Sequence, residues 1–172
     1  MRRAMLVVFG MVFTVAVLSA QRPAARVETA EIADLSGRMV GRATLTQTTD
    51  GVRIQATFIG LPAGIHGLHI HETGRCEPPF ASAGAHFNPE SKRHGKDNST
   101  GRHAGDLPNV SVPANGHVIV DLVEPMVSLT SGTNSLMDGD GSALIVHERG
   151  DDHTTDPDGN AGARIACGVI GK

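Results

Sequence analysis

Residues 67–76 read GLHIHETGRC, and two of them could share one task. In a strand, residues i and i+2 point to the same face, so the imidazoles of His69 and His71 converge. Converging imidazoles suit a bound metal or a pH-sensitive switch, and they also arise by coincidence. A second group follows in GAHFNPESKRHGKDNSTGRHAGDLPNV, where His86, His94 and His103 are followed by Asp106. Three imidazoles and one carboxylate are a sufficient tetrahedral set for Zn²⁺. A metal there would be structural, because the loop has little apolar material with which to order itself. A solvated loop with scattered histidines would have the same spacing. His147, in ALIVHE, could join His69 and His71. Three or four imidazoles with an open side suit Cu, Zn, Fe or Ni, and a square-planar nitrogen set favours Cu(II).

Those side chains need a scaffold to position them. The chain has 172 residues, enough for one ordinary domain. With 21 Gly, 9 Pro, no Trp and no Tyr, it is rich in turns, and its core must be built from Val, Ile, Leu, Ala and five Phe. AEIADLSGRMVGRATLTQ, GVRIQATFIGL and IHGLHIHE are β-like runs bounded by TTDG and LPAG turns, with hairpin-length gaps that argue for antiparallel pairing. Strand patterns return in NVSVPANGHVIVDLVEP, where Asn115-Gly116 predicts a hairpin turn, then in ALIVHE and RIACGVIG. No segment carries a sustained helical period with caps. About eight short strands suggest an all-β, antiparallel Greek-key barrel or sandwich. Two long loops complete it: the Gly-, Pro- and His-rich stretch from about Glu72 to Pro108, and the one after His147. A loop as long as the first is uncommon unless it is functional or tied down.

A net charge of −3 and a pI near 6.3 leave no basic surface for nucleic acid. Residues 1–20 read as a signal peptide: Arg2 and Arg3 open it, Ala4 to Ala20 form an apolar run, and LSA is an acceptable cleavage site. The alternative is an uncleaved membrane anchor, since the run only just reaches the lower limit for a span, about 17 residues. With the leader removed, no membrane-spanning segment remains and the net charge passes from −3 to −5 with the loss of Arg2 and Arg3. Residues 21–27 are a linker and 28–172 the domain. The expected location is periplasmic or extracellular. In an exported chain, two cysteines, Cys76 and Cys167, usually mean one disulfide. Closing a loop of about 90 residues would contribute at most about 4–5 kcal/mol in the chain-entropy account.

GLHIHETG, GAHFNPESKRHG, HAGDLPNV, LIVHERGDD and GNAGARIACGVIG together resemble the sequence blocks of the copper–zinc superoxide dismutases. They occur in that family's order, across residues 28–172. The resemblance implies an enzyme that disproportionates superoxide to dioxygen and hydrogen peroxide. Its one copper ion per subunit would cycle between Cu(II) and Cu(I), beside one redox-inert zinc ion. It implies copper ligands His69, His71, His86 and His147, and zinc ligands His86, His94, His103 and Asp106, with His86 a bridging imidazolate that also carries a proton. Asp151 matches the carboxylate linking His69 to His94, Arg164 the guanidinium that guides the anion, and Cys76–Cys167 the family disulfide. His66 matches a structural position, and His117 and His153 read as surface polar residues.

Two features depart from the pattern. In many eukaryotic members the loop before the arginine is longer and carries lysines, whereas ERGDDHTTDPDGNAGA is short, acidic and lysine-free. Steering would rest on Arg164 with bases such as Lys92, Arg93, Lys96 or Arg102. TGRCEPPFASAG is unlike the segment forming the eukaryotic dimer contact, so homodimer and monomer both stay open. The alternative function is a non-catalytic copper or zinc carrier, or a chaperone-like module, of the same fold; such modules commonly lose copper ligands or the arginine, which are all present here.

Overall fold

The structure is a computed structural model that describes residues 24–171. The expected signal peptide at 1–20 and the start of the expected linker lie outside the described residues. Alternation of apolar and polar side chains sets the strands, because successive residues of a strand face opposite sides. In β3 (Gly51–Ile59) the residues Val52, Ile54, Ala56 and Phe58 are buried while Arg53, Gln55 and Ile59 face outward. It pairs along its whole length with β2 (Met39–Thr48), through a tight turn at Thr49-Asp50. β1 (Val27–Asp34) pairs with β2 on the other side.

The run IHGLHIHE divides at Gly67 into β4 (Gly64–His66) and β5 (Leu68–His71), which gives nine strands among the described residues where eight runs were read. Gly67 fits there because an added Cβ would press on Ala161 at 3.1 Å and on the His69 ring at 3.3 Å. The remaining strands are β6 (Val110–Val112), β7 (His117–Glu124), β8 (Ala143–His147) and β9 (Arg164–Val169). Seven strands form one antiparallel sheet in the order β5-β8-β9-β1-β2-β3-β7, and β4 pairs with β6. β4 runs on into β5, and β6 packs on β7. The short pair therefore bridges the two edges of the long sheet, closing a Greek-key barrel around Ile32, Leu45, Ile54, Phe58, Leu68, Ile70, Leu129 and Leu144.

The turn at Asn115-Gly116 forms, with Gly116 donating to Pro113, but β6 and β7 do not make the expected hairpin. All eight residues of β7 pair with β3, leaving β6 to β4. The long loop is tied down in two places. Cys76 and Cys167 form a disulfide, with Cα atoms 5.7 Å apart, that packs on Phe80, Ala83, Ala143 and Ile145. Further on, the loop lies along β5: Phe87 N–H donates to Ile70 O, Ile70 N–H to Gly105 O and Gly105 N–H to Phe87 O, at 2.8–2.9 Å. Gly105 is required by this approach, since an added Cβ would collide with the carbonyl of Ile70.

Gly105→Ala should therefore lift the loop from β5 and cost about 1–3 kcal/mol, as overpacked sites do. Urea unfolding of the metal-free protein measures this; an unchanged midpoint would show that the loop docks without that close contact.

Candidate metal centre

β5 is buried on both faces. Leu68 and Ile70 enter the barrel core, while His69 and His71, fully buried, face outward beneath the long loop. The loop returns His86 beside His71 and Asp106 beside His69 through isolated backbone bridges. β8 ends on His147, where a bulge shifts the register so that His147 lies opposite Arg164 of β9. Bulges commonly re-aim side chains in this way.

The outer nitrogens of these rings are held by acceptors, which fixes each as N–H and turns the other nitrogen inward. His71 Nδ1 donates to Gly84 O at 3.0 Å and His147 Nδ1 to Gly162 O at 3.2 Å. His69 Nε2 and His94 Nε2 donate to the two oxygens of Asp151, at 2.8 and 2.9 Å. Inward, His71 Nε2 and His147 Nε2 lie 3.4 Å apart, and His69 Nδ1 and His86 Nε2 have no hydrogen-bond partner. One ligand atom from each of His69, His71, His86 and His147 falls within 4.8 Å of the others.

The second set is tighter. Asp106 Oδ1 lies 2.9 Å from His86 Nδ1, 3.1 Å from His94 Nδ1 and 3.2 Å from His103 Nδ1, and the nitrogens of His86 and His103 are 3.5 Å apart. His94 Nδ1 sits off the direction a hydrogen bond needs and has no partner. Four ligands about 2.0–2.1 Å from a tetrahedral ion are separated by roughly 3.3 Å, so this set fits zinc and the looser all-nitrogen set fits copper. The third cluster, His69, His94 and Asp151, is accounted for by its hydrogen bonds.

Charge points the same way. Burial pushes His86 down to about 4 against the pull of Asp106, and pushes His147 down to about 3, helped by neighbouring His69. Burial, then the charges of His86 and Arg164, hold His71 well below its usual value. Burial would lower His94 too, but the carboxylates of Asp106 and Asp151, each close to one of its ring nitrogens, raise it to about 9. Burial alone would raise Asp106 and Asp151; hydrogen bonds from their histidines hold both far below the carboxylate range. Neutral imidazoles around one centre, and two carboxylates flanking the other, are donor sets that want cations.

Arg164, half-buried, donates to Phe80 O and Gly84 O, each at 2.6 Å, so Gly84 O serves both His71 and Arg164. His66 lies outside both sets, its ring between His147 O and Pro62 O at 2.8 and 2.9 Å. His117 is exposed, whereas His153 packs on Asn109 and Asp151. Arg102 is unavailable for steering: its guanidinium grips Glu124 at 2.8 Å and Asp106 O at 2.7 Å. Lys96 meets Asp97 at 2.9 Å. The reading from sequence overlooked Arg149, whose exposed side chain lies over Gly162, so that a Cβ there would come within 3.2 Å of it. Its signal was available, two residues beyond His147.

A family profile described as copper/zinc superoxide dismutase (SODC) matches residues 39–170. The chain belongs to the copper/zinc superoxide dismutases. It is 47% identical over 144 residues to "Superoxide dismutase [Cu-Zn] 2" of Aquifex aeolicus, covering 82% of this chain and 84% of that one. It is 43% identical over 138 residues to the copper–zinc enzyme of Caulobacter vibrioides, covering 78% and 79%. The crystal structure of a superoxide dismutase-like protein from Bacillus subtilis matches with a TM-score of 0.79 at 42% identity, covering 82% of this chain and 96% of that one. The protein is thus a superoxide dismutase that uses copper and zinc. Among the described residues no helix is long and apolar enough to cross a membrane.

The depressed histidines predict how the metal-free protein responds to acid. In the unfolded chain these rings bind protons near 6.5; folded, His86 and His147 wait until about 4 and 3. The stability they contribute is complete above pH 6.5 and is lost as pH falls from there toward 4 and 3. The raised His94 acts oppositely, losing its contribution only between 6.5 and 9, so it does not mask the acid limb. Denaturant titrations of chelator-treated protein should show a loss of a few kcal/mol across this range, each tenfold in proton affinity being worth about 1.4 kcal/mol. A flat profile between pH 6.5 and 4 would refute it.

Proposed function

We propose that the dismutase holds copper with His69, His71, His86 and His147, and zinc with His86, His94, His103 and Asp106. The observation that carries this reading is that His86 alone belongs to both four-residue sets. Its Nδ1 faces the Asp106 group and its Nε2 the all-nitrogen group, as a bridging imidazolate requires. Losing both ring protons becomes feasible between two divalent ions, which dominate local acidity. Asp151 orients His69 and His94, one ligand of each metal.

The net reaction takes two superoxide ions and two protons to dioxygen and hydrogen peroxide. When bound, copper supplies one-electron exchange with superoxide in each half-reaction, and zinc keeps its charge. The chain's own residues do the rest. His86 Nε2 is the atom that would carry a proton to the reduced oxygen. Arg164 draws in and orients the anion: two of its five N–H groups are engaged by Phe80 and Gly84, which fixes the guanidinium and leaves the others for substrate.

The same reading gives residues 1–20 as a signal peptide, 21–27 as a linker and 28–172 as the enzyme domain, exported to the periplasm or beyond, and tethered if the leader is kept. The Cys76–Cys167 disulfide supports an oxidising compartment. The carrier reading has no observation in its favour, since every ligand and Arg164 are in place.

Elemental analysis of variants tests the ligands: His86→Ala should deplete or perturb both metals, and His94→Ala chiefly zinc. A His86→Ala protein with both metals and unchanged copper spectra would overturn the bridge. For Arg164→Glu the dismutation rate should fall at least about tenfold, the lower end of electrostatic steering effects. Its salt dependence should flatten or invert, with both metals retained. Full activity in that variant would remove Arg164 from the mechanism.

A further inference from the structure

Asp151 spans the two donor sets, yet it lies in a segment without regular secondary structure. Its backbone must be fixed by something other than a strand. Asn109, the residue before β6, makes a two-point contact with it: Asn109 Oδ1 accepts the Asp151 N–H at 2.8 Å, and Asn109 Nδ2 donates to Asp151 O at 2.8 Å. The amide cannot be reversed, because the peptide N–H only donates and the carbonyl only accepts. Its second N–H reaches His153 Nε2 at 3.2 Å, and the backbone N–H of His153 returns to Asp151 Oδ1 at 2.6 Å. From the far side Gly159 closes on the carboxylate: an added Cβ would collide with Asp151 Oδ1 and come within 2.6 Å of His94 Nε2.

We propose that Asn109 is a positioning residue for both metals, acting through Asp151. This rests on the ligand assignment above. The backbone of Asp151 is held at two points, so its carboxylate presents one oxygen to His69 and the other to His94 in fixed directions. Releasing the amide lets the carboxylate tilt, and both rings lose their orientation together. A disturbance confined to the loop around His103 would reach the zinc set alone. Partners of ligating histidines commonly matter by about ten- to a hundredfold in metal affinity.

The test uses the full protein loaded with copper and zinc, and a second preparation with Co²⁺ in place of zinc. Asn109→Ala is compared with Asn109→Asp, which keeps the shape and the acceptor but loses both donors. Val110→Ala is the control, removing buried core atoms next door without touching the clamp. Asn109→Ala should release both metals to a chelator at least about tenfold faster and alter both the Cu²⁺ resonance spectrum and the Co²⁺ absorption spectrum. Asn109→Asp should fall between it and the native protein, and it carries the test if Asn109→Ala does not fold. Val110→Ala should lose thermal stability while keeping native spectra and release rates. The clamp is overturned if folded Asn109 variants match the native protein in both spectra and both rates, or if only one metal responds. Copper and cobalt signals that stay native in His69→Ala and His94→Ala would overturn the ligand assignment, and the clamp with it.

Discussion

A cluster of buried donor atoms that no protein group satisfies governs this structure. His69 Nδ1, His86 Nε2 and His94 Nδ1 are sealed from water and unpartnered, and each such atom costs about 1–3 kcal/mol in an ordinary interior. Around Asp106 three imidazoles crowd one carboxylate oxygen. The metal-free protein relieves part of the imbalance by holding a proton on His94 up to about pH 9. Two divalent ions held as proposed would relieve it, because every inward atom would then have a ligand bond. Copper and zinc are in this sense part of the fold at that end of the barrel, where the loop from 72 to 108 has few apolar side chains of its own.

Since the donor atoms repel or ignore one another without a cation, something else must hold them in place. The outer nitrogens are anchored by backbone carbonyls and by Asp151, and those anchors are interlocked. Gly84 O receives both His71 and Arg164. Gly84 and Phe80 belong to the loop that Cys76 ties to Cys167, and Cys167 shares β9 with Arg164. The circuit runs from β9 through the disulfide to the loop and back to β9 through the guanidinium. His71, Arg164 and the disulfide therefore share one small unit.

The sequence carried the donor residues openly and their anchors hardly at all. His69 and His71 were readable because a period of two forces them onto one face, and the blocks around His86, His94, His103, Asp106, His147, Asp151 and Arg164 carry the family's order. The strands were readable from alternation, as in Val52, Ile54, Ala56 and Phe58. Division of the GLHIH run at Gly67 was not, since apolar residues continue across it and only the approach of Ala161 forces the break. Nor was the pairing of β6, because Asn115-Gly116 reports a turn but not which neighbours the flanking strands choose. Carbonyl anchors such as Gly84 and Gly162 leave no side-chain signal. Arg102 read as a free base until Glu124, 22 residues away, proved to hold it.

The charge distribution then decides how an anion reaches such a site. The protein carries −3 overall, so its distant field opposes superoxide. Close in, the sign reverses. Asp106 and Asp151 are buried and matched by their histidines, whereas Arg164 keeps its charge despite the burial that lowers its proton affinity. Arg149 places an exposed guanidinium beside Gly162, next to the Glu148 carboxylate. Salt screens over roughly 8–10 Å, so it weakens the repulsive long-range field before the attraction at the mouth. With Arg164 in its proposed role, a dismutase built this way should gain less from low salt than one with a basic approach surface, and its capture of substrate would depend on the few cations at the rim.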